Sequence, residues 1–272
     1  MQDIEYITSR QNPKILAAIR LKDRREREER QEFAFEGKKL FAEAVRRALP
    51  LSAVYATEKN LPFCRELLET GSQDPAVFCV SDAVYEKLTN EKAPEGIFVV
   101  AKTIDKRKKI VTIYKSDPFL PPGRRAILSS IRDPGNLGTV IRTATAFGLA
   151  ELILSADCAD IYNSKTVRAS MGTLFSLPIT VVEDLPGSIA ALRREGIPVY
   201  ATALREDAVS LTSLPADSLR RAVFVLGNEG HGLSAEIIGG CDGAVIIPMT
   251  PDAESLNASA AATVLFWEQW KH

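Results

Sequence analysis

Apolar positions follow two different patterns along this chain, and the clearer one fills its second half. Six apolar runs of strand length alternate there with segments of helical spacing. The runs predict strands at 126–129, 151–155, 179–182, 198–202, 222–226 and 243–247. The segments between and after them predict helices at 138–147, 163–169, 188–194, 235–238 and 257–270. Strands that alternate with helices indicate a parallel sheet covered on both faces.

The first hundred residues have a different texture. Apolar residues recur at helical spacing between Asn12 and Leu49, interrupted by the charged stretch 22–32. Short strands are predicted at 54–56, 77–80 and 97–101, with helices at 61–70 and 81–89, the latter capped by Ser81. The spacing predicts a small α/β/α sandwich over residues 1–105.

A segment rich in basic residues and proline separates the two patterns. It predicts a linker over residues 106–123, in which Ile110–Tyr114 is a candidate edge strand. The α/β domain then occupies residues 124–272. A length of 272 residues agrees with two domains, each able to bury its own core.

Composition limits the class of protein. The four cysteines are dispersed without a C-x-x-C pair and only two histidines are present, which argues against a disulfide framework or a metal site. The N-terminus has no secretory pattern, and no apolar run reaches the ~18 residues that a membrane span needs. We therefore expect a cytoplasmic protein with no metal and no membrane association.

Positive charge is concentrated in parts of the chain although the net charge is only −1. Residues 101–132 hold nine Lys/Arg against two Asp/Glu, and Lys22–Arg30 is a second basic stretch. Such segments can hold RNA through phosphate contacts. A solvated helix face and a solvated loop are the alternative explanations.

The first candidate site lies after the strand at 126–129. The sequence predicts a turn through Pro134–Gly138, and then a helix with Arg142 in its second turn. Free N–H groups at a helix start beside a guanidinium suit an anionic group such as an RNA phosphate. Neither a Walker loop nor a dinucleotide fingerprint is present. The alternative is a glycine turn and an arginine paired with a nearby carboxylate.

The second candidate site follows the strand at 222–226. Gly227, Gly230 and Gly232 permit close backbone approach to a ligand, and Glu229 can accept its hydrogen bond or orient Arg142. The alternative is a glycine-rich turn with a solvated glutamate. His231 in the same loop has the chemistry of a base, although a lone loop histidine is typical of a surface.

The third candidate site follows the strand at 243–247. Ser255 and Asn257 precede a helix of small residues, where each is a candidate cap or ligand contact. The closing stretch Phe266–Trp270 favours core or subunit contact over base stacking.

Together the three segments resemble a known family. The runs P-G-N-L-G-T-V-I-R-T-A, L-G-N-E-G-H-G-L and I-P-M…S-L-N-A-S-A-A resemble the three motifs of the SpoU (TrmH-like) RNA 2′-O-ribose methyltransferases of the SPOUT superfamily. R-A-S-M-G-T-L-F at 168–175 looks like the family's middle segment. The resemblance covers about residues 124–270. I-T-S…N-P and F-E-G near the N-terminus look like its ribosomal-protein-like substrate-binding domain.

The resemblance implies a fold and an activity. The expected fold is a parallel-sheet α/β domain with a deep trefoil knot, an exception to the rule against threaded chains. The expected cofactor is S-adenosylmethionine. The expected substrate is RNA, and large-subunit (23S) ribosomal RNA is favoured because family members with such an N-terminal domain mostly act on it. The enzyme is expected to be a homodimer whose active site draws on both subunits. The implied catalytic residues are Asn136, Arg142, Glu229, Ser255 and Asn257. The implied cofactor-binding residues are Thr202, Ala203, Leu226, Gly227, Gly230, Ile247, Pro248, Leu256 and Asn257.

Other functions stay open at this point. A tRNA methyltransferase and a catalytically inactive RNA-binding homologue would carry the same motifs. A nucleotide-dependent α/β enzyme is disfavoured by the missing phosphate-binding patterns. Because a guanidinium is a poor proton acceptor, we expect Arg142 to grip the phosphate beside the target ribose while Glu229 and Asn136 orient it.

Overall fold

The computed structural model describes residues 4–109, 124–228, 230–250, 252 and 255–271. Glu229 and the candidate edge strand Ile110–Tyr114 lie outside the described residues. The chain forms two compact units, Met1–Ile104 with Tyr162–Ser176, and Asp105–Ile161 with Leu177–His272. No helix among the described residues is long and apolar enough to cross a membrane.

The first unit is built on a five-stranded mixed sheet. Its strands, in the sheet order β1-β4-β3-β5-β2, are β1 Glu5–Ile7, β2 Glu32–Glu36, β3 Leu51–Thr57, β4 Ala76–Val80 and β5 Ile97–Lys102. Its helices are α1 Pro13–Arg20, α2 Arg24–Arg30, α3 Lys38–Arg46, α4 Leu61–Glu69 and α5 Asp82–Leu88, with α7 Ser164–Ala169 contributed by the later segment. Ser81 caps α5 as predicted, because its hydroxyl accepts the Val84 N–H.

Strand β2 was not predicted, because its residues lie within the run read as helical. Phe33 and Phe35 alternate with acidic and small residues and are buried, which is strand periodicity over only five positions. Burial alone would raise the pKa of Glu32, but hydrogen bonds from Lys102 and Ser52 hold it below its usual value. These contacts fix β2 antiparallel to β5 at the sheet edge.

The second unit is built on an eight-stranded sheet in which every pairing is parallel. Its strands, in the sheet order β11-β13-β10-β12-β7-β8-β9-β6, are β6 Lys106–Lys108, β7 Arg125–Leu128, β8 Glu151–Ser155, β9 Ile179–Val182, β10 Val199–Thr202, β11 Val209–Ser210, β12 Val223–Leu226 and β13 Gly243–Ile246. Its helices are α6 Pro134–Ala146, α8 Leu185–Arg194, α9 Ala216–Arg221, α10 Ala235–Gly240 and α11 Ala258–Trp270. This sheet and the smaller first unit confirm the α/β fold class predicted from the sequence.

Two predictions about local structure were wrong. Lys106–Lys108, assigned to the linker, forms an edge strand beside β9, where the exposed charges of Lys106 and Arg107 also discourage pairing with another chain. Pro134–Gly138, assigned to a turn, is the first part of α6. Asp133 caps this helix by accepting the Asn136 N–H at 2.8 Å, and Pro134 suits its first position.

Candidate functional site

A cavity of about 390 Å³ opens at the carboxyl ends of β10, β12 and β13, which are neighbours in the sheet. Carboxyl ends of parallel strands meet at one edge, where α/β proteins bind ligands. Most of the lining comes from the segments that follow these three strands. The lining residues are Thr202, Ala203, Leu204, Arg205, Leu226, Gly227, Asn228, His231, Gly232, Leu233, Ile238, Val245, Ile246, Ile247, Met249, Ser255, Leu256, Ala258 and Ala261.

The loop after β12 folds back tightly on its own strand. Asn228 and Gly232 form a β-bridge, with the Gly232 N–H donating to the Asn228 carbonyl at 2.9 Å. A Cβ on Gly227 would lie 2.6 Å from the Gly232 carbonyl carbon and 2.9 Å from the Leu233 nitrogen. Both are backbone atoms that cannot rotate away, so only glycine fits at this position.

Two of the predicted catalytic residues meet directly. The Asn257 Nδ2 donates to the Asn136 Oδ1 at 3.2 Å, which joins the start of α11 to the start of α6. Asn257 is also the cap of α11, because its Oδ1 accepts the Ser259 N–H at 2.9 Å. The two amides therefore bring the first and third motifs together.

Arg142 stands apart from this contact. It is exposed in the third turn of α6, about 9 Å along the helix axis from Asn136. Within the described part of the chain it makes no hydrogen bond or ion pair and does not line the cavity. The expected arrangement of a guanidinium beside free helix-start N–H groups is therefore wrong within one chain, since Asp133 already accepts the Asn136 N–H.

The other predicted residues differ in their position relative to the cavity. The predicted residues that line the cavity are Thr202, Ala203, Leu226, Gly227, Ile247, Ser255 and Leu256. Gly230, Pro248 and Asn257 lie beside those segments but not in the lining. Glu229 lies outside the described residues.

Sequence reasoning missed part of the cavity. Leu204 and Arg205 enter it because the chain continues from β10 along its rim, and Ala258 and Ala261 enter it from α11. The small residues at the start of α11 were a usable signal, since they leave space against a neighbouring surface. Leu204 is 60% exposed in the structure, but no pattern in the sequence marked it as a cavity residue.

A hydrogen-bonded carboxylate lies close to the first motif and was also missed. Asp157 accepts from the Ser130 hydroxyl at 2.5 Å and from the Ser155 hydroxyl at 2.6 Å. Burial alone would raise the pKa of Asp157, but these hydrogen bonds and the nearby Arg132 guanidinium hold it below its usual value. Asp157 therefore stays ionised at neutral pH.

The basic stretch Lys22–Arg30 is largely neutralised within the first unit. Arg24 pairs with Glu28 and Arg25 with Glu29 along α2. Arg27 is buried and donates to the Leu21 and Lys22 carbonyls. These contacts support the solvated-face alternative for this stretch more than an RNA-guiding role.

The lining of the cavity suits a nucleoside-like cofactor. The aliphatic residues Leu226, Ile247 and Leu256 line it beside Thr202, Asn228 and Ser255. Small-molecule sites are typically lined in this way, mostly by apolar residues with a few polar ones. Across the part of the chain that the structure describes, no cluster of His, Cys, Asp or Glu could hold a metal ion.

This parallel sheet, the cavity at its strand ends and the three motifs around it are those of a family of RNA-modifying enzymes. The SpoU rRNA Methylase family model matches residues 123–267, and the MRM3-like substrate binding domain model matches residues 12–99. The chain belongs to the SpoU rRNA methylase family and is an RNA methyltransferase. This confirms the family and enzyme class predicted from the sequence.

Relatives match over nearly the whole chain. The chain is 31% identical to the 23S rRNA (guanosine(2553)-2′-O)-methyltransferase RlmP of Bacillus subtilis, over 97% of this chain and 98% of that protein. It is 32% identical to the 23S rRNA (uridine(2479)-2′-O)-methyltransferase of Streptomyces viridochromogenes, over 91% and 85% of the two chains. The AdoMet-bound rRNA methyltransferase of Sinorhizobium meliloti is similar in structure, with a TM-score of 0.84 and 26% identity over 99% and 98%.

Proposed function

We propose that this chain transfers a methyl group from S-adenosylmethionine to a ribose 2′-oxygen of large-subunit ribosomal RNA. The observation that carries the proposal is the cavity between the second and third motif segments, joined to the first motif by the hydrogen bond between Asn257 and Asn136. The 23S rRNA 2′-O-methyltransferases among its relatives support the substrate. A tRNA substrate has less support.

The cofactor is S-adenosylmethionine, and the cavity fits it. Leu226, Ile247 and Leu256 would hold it by apolar contact, with Gly227 and Ala203 offering backbone groups. When bound, the cofactor supplies a methyl group on a sulfonium, which is already a good leaving group. The protein therefore has mainly to align the ribose and assist loss of its proton.

The residues near the cavity mouth divide this work. The paired amides of Asn136 and Asn257 offer donors and acceptors that can orient a ribose hydroxyl, and Ser255 reaches the same region. The guanidinium of Arg142 is a planar cation with several N–H donors, so it acts as an anion ligand that grips the phosphate beside the target ribose. Glu229 belongs to this group by its motif position.

The exposed position of Arg142 is explained by a homodimer. Trp267 and Trp270 on α11 are 45% and 49% exposed and stack at 5.2 Å between ring centroids, with Phe147 against both. Helices α6 and α11 pack together, so this aromatic patch adjoins the helix that carries Arg142. A second copy of the chain would cover the patch and receive Arg142 at its own cavity.

Two further features belong to the proposal. A deep trefoil knot is part of the proposal, in which the glycines and small residues of the second and third motifs would let the chain pass close to itself. An experimental structure that traces residues 250–258 without a threaded loop would disprove it. A ribosomal substrate also supports a cytoplasmic location.

Methyl transfer can be tested directly. The purified protein with labelled S-adenosylmethionine should label 23S rRNA from cells that lack the gene, and the label should survive alkaline hydrolysis as a 2′-O-methylated dinucleotide. Label in tRNA instead would favour the tRNA alternative. Binding of the cofactor with no label in any RNA would favour the inactive homologue.

Arg142→Lys tests the phosphate-gripping role. Lysine keeps the charge but loses the bidentate fork, so we expect methyl transfer to fall about a hundredfold while cofactor affinity stays unchanged. Calorimetry with S-adenosylhomocysteine and turnover at saturating cofactor measure the two. Arg194→Lys, at another exposed arginine, is the matched control. Near-normal turnover of Arg142→Lys would disprove the role.

A further inference from the structure

Ser130 has an unusual backbone conformation directly after β7. Its φ is 58°, in the left-handed region that residues with a Cβ rarely adopt. Among the described residues of the second unit, it is the only residue other than glycine with a positive φ. Such a conformation persists where neighbouring contacts impose it.

The contacts that impose it come from the segment after β8. The Ser130 hydroxyl donates to the Asp157 Oδ2 at 2.5 Å, and the Ser130 N–H donates to the Ser155 hydroxyl at 2.9 Å. The Ser155 hydroxyl in turn donates to the Asp157 Oδ1 at 2.6 Å. One carboxylate therefore fixes both the side chain and the backbone of Ser130.

The conformation of Ser130 is transmitted to the cavity. Its carbonyl accepts from the Asn228 Nδ2 at 2.9 Å. The Asn228 Oδ1 accepts the Gly230 N–H at 2.8 Å, and the Asn228 carbonyl accepts the Gly232 N–H. Because Gly227, Asn228 and Gly232 line the cavity, the direction of one carbonyl sets the shape of its wall.

We propose that Asp157 is a positioning residue for the methyl-donor cavity: it holds Ser130 in the left-handed conformation, and Ser130 thereby fixes Asn228 together with its contacts to Gly230 and Gly232. Asp157 itself is not in the cavity lining, and neither are Ser130 and Ser155, whose hydroxyls donate to its carboxylate. The identity of the ligand rests on the proposed function, whereas the relay rests on the contacts above.

Two substitutions of Ser130 separate conformation from hydrogen bonding. Ser130→Ala and Ser130→Gly lose the same hydroxyl, but only glycine adopts a positive φ without steric cost. With S-adenosylhomocysteine as the calorimetric probe, we expect Ser130→Ala to bind about tenfold more weakly than wild type and Ser130→Gly within about threefold of it. Equal losses, or no loss in either variant, would overturn the proposal.

A second pair tests Asp157 itself. Asp157→Ala should weaken binding about tenfold, and adding Ser130→Gly to it should restore most of the affinity, because the conformation then no longer depends on the carboxylate. A merely structural role would leave the double variant as weak as Asp157→Ala, and that result would overturn the proposal. If Asp157→Ala does not fold, the Ser130 pair decides alone. Failure of wild type to bind the probe would instead count against the proposed function.

Discussion

Gly227 is the residue at which a single added carbon should be most damaging. A Cβ there would meet the backbone of Gly232 and Leu233 at 2.6–2.9 Å. We expect Gly227→Ala to cost about 1–3 kcal/mol of stability and to weaken cofactor binding at least about tenfold, because the loop has to move out of the cavity wall. Thermal unfolding and calorimetry with S-adenosylhomocysteine measure the two effects.

Gly239→Ala is the control for this substitution. Gly239 lies in α10, and a Cβ added to it would have no neighbouring atom within 4 Å. Alanine there should therefore leave binding unchanged and raise stability slightly. Equal affinities of the Gly227 and Gly239 variants would mean that the loop tolerates displacement. The close approach would then have no role in binding.

At the scale of residues, the sequence indicated some members of the site and missed others. The glycines of the second motif were recognisable because glycine has a known backbone use, and Asn136 and Asn257 because their motifs follow strand ends. Ser130 and Asp157 were not, since a serine or an aspartate is unremarkable until the fold brings positions 27 residues apart into contact. Contacts of this kind depend on tertiary structure and leave no local pattern.

The cysteines give a prediction about reactivity. All four are free and buried, and burial raises the pKa of Cys64 to about 12 and of Cys241 to about 11. A raised pKa means less thiolate, so at about pH 8 we expect Cys241 to react with a disulfide reagent about a hundredfold more slowly than a free thiol. Four thiols should react rapidly after denaturation. Rapid reaction of any thiol in the folded protein would contradict this burial.

At the scale of elements, a buried polar contact joins three neighbouring strands away from the cavity. The Arg125 Nε donates to the Glu151 Oε2 at 3.1 Å, and the Thr180 hydroxyl donates to the Glu151 Oε1 at 2.6 Å. These residues lie at the amino ends of β7, β8 and β9, whereas the cavity lies at carboxyl ends. Their role should therefore be stability rather than binding.

Glu151→Ala tests this division. Removing the carboxylate breaks the buried ion pair with Arg125 and the hydrogen bond from Thr180, so we expect a loss of about 3 kcal/mol of unfolding free energy. The affinity for S-adenosylhomocysteine, measured well below the melting temperature, should stay within about twofold. Glu206→Ala, at an exposed glutamate of the same unit, should change neither. A large loss of affinity in Glu151→Ala would show that the two edges of the sheet are coupled.

Element boundaries show why periodicity predicts some structure and misses the rest. Strands β8 and β9 were predicted at their observed bounds, because each is a continuous apolar run in a buried parallel sheet. The start of α6 was misplaced because Pro134 and Gly135 resemble a turn, although an aspartate followed by proline also begins a helix. Strand β6 is basic and lies at an edge, so it has no apolar signal at all.

At the scale of the whole molecule, the sequence did not reveal which parts pack together. Along the chain, Tyr162–Ser176 comes after β8 and before β9, which are strands of the second unit. The segment nevertheless packs within the first unit. Tyr162 lies against Phe33 at 4.5 Å and Phe175 against Phe35 at 5.0 Å between ring centroids, and the Tyr162 hydroxyl accepts the Ile104 N–H. A cut of the chain at one linker cannot predict such a discontinuous unit, because each aromatic residue alone only indicates a core.

The shared active site proposed for the dimer gives the strongest test at this scale. Arg142→Ala keeps an intact cavity, and Gly227→Ala keeps Arg142. At a cofactor concentration that saturates only the intact cavity, each variant alone should therefore have little activity. If Arg142 serves the cavity of the partner, a mixed dimer of the two variants contains one complete site. With random mixing, half of the dimers are mixed, and activity should recover to about a quarter of the wild-type value.

The test needs dimers that contain one subunit of each variant. The two variants are therefore co-expressed with different affinity tags and assayed after purification through one tag and through both. With random mixing, two thirds of the dimers retained by one tag are mixed, whereas all of those retained by both tags are. Activity per dimer should therefore rise about 1.5-fold between the two fractions, because only mixed dimers carry a complete site. If Arg142 instead acts within its own chain, every mixed dimer combines one chain without Arg142 and one without a cavity. No activity should then appear in either fraction, and the exposed position of Arg142 would need another explanation.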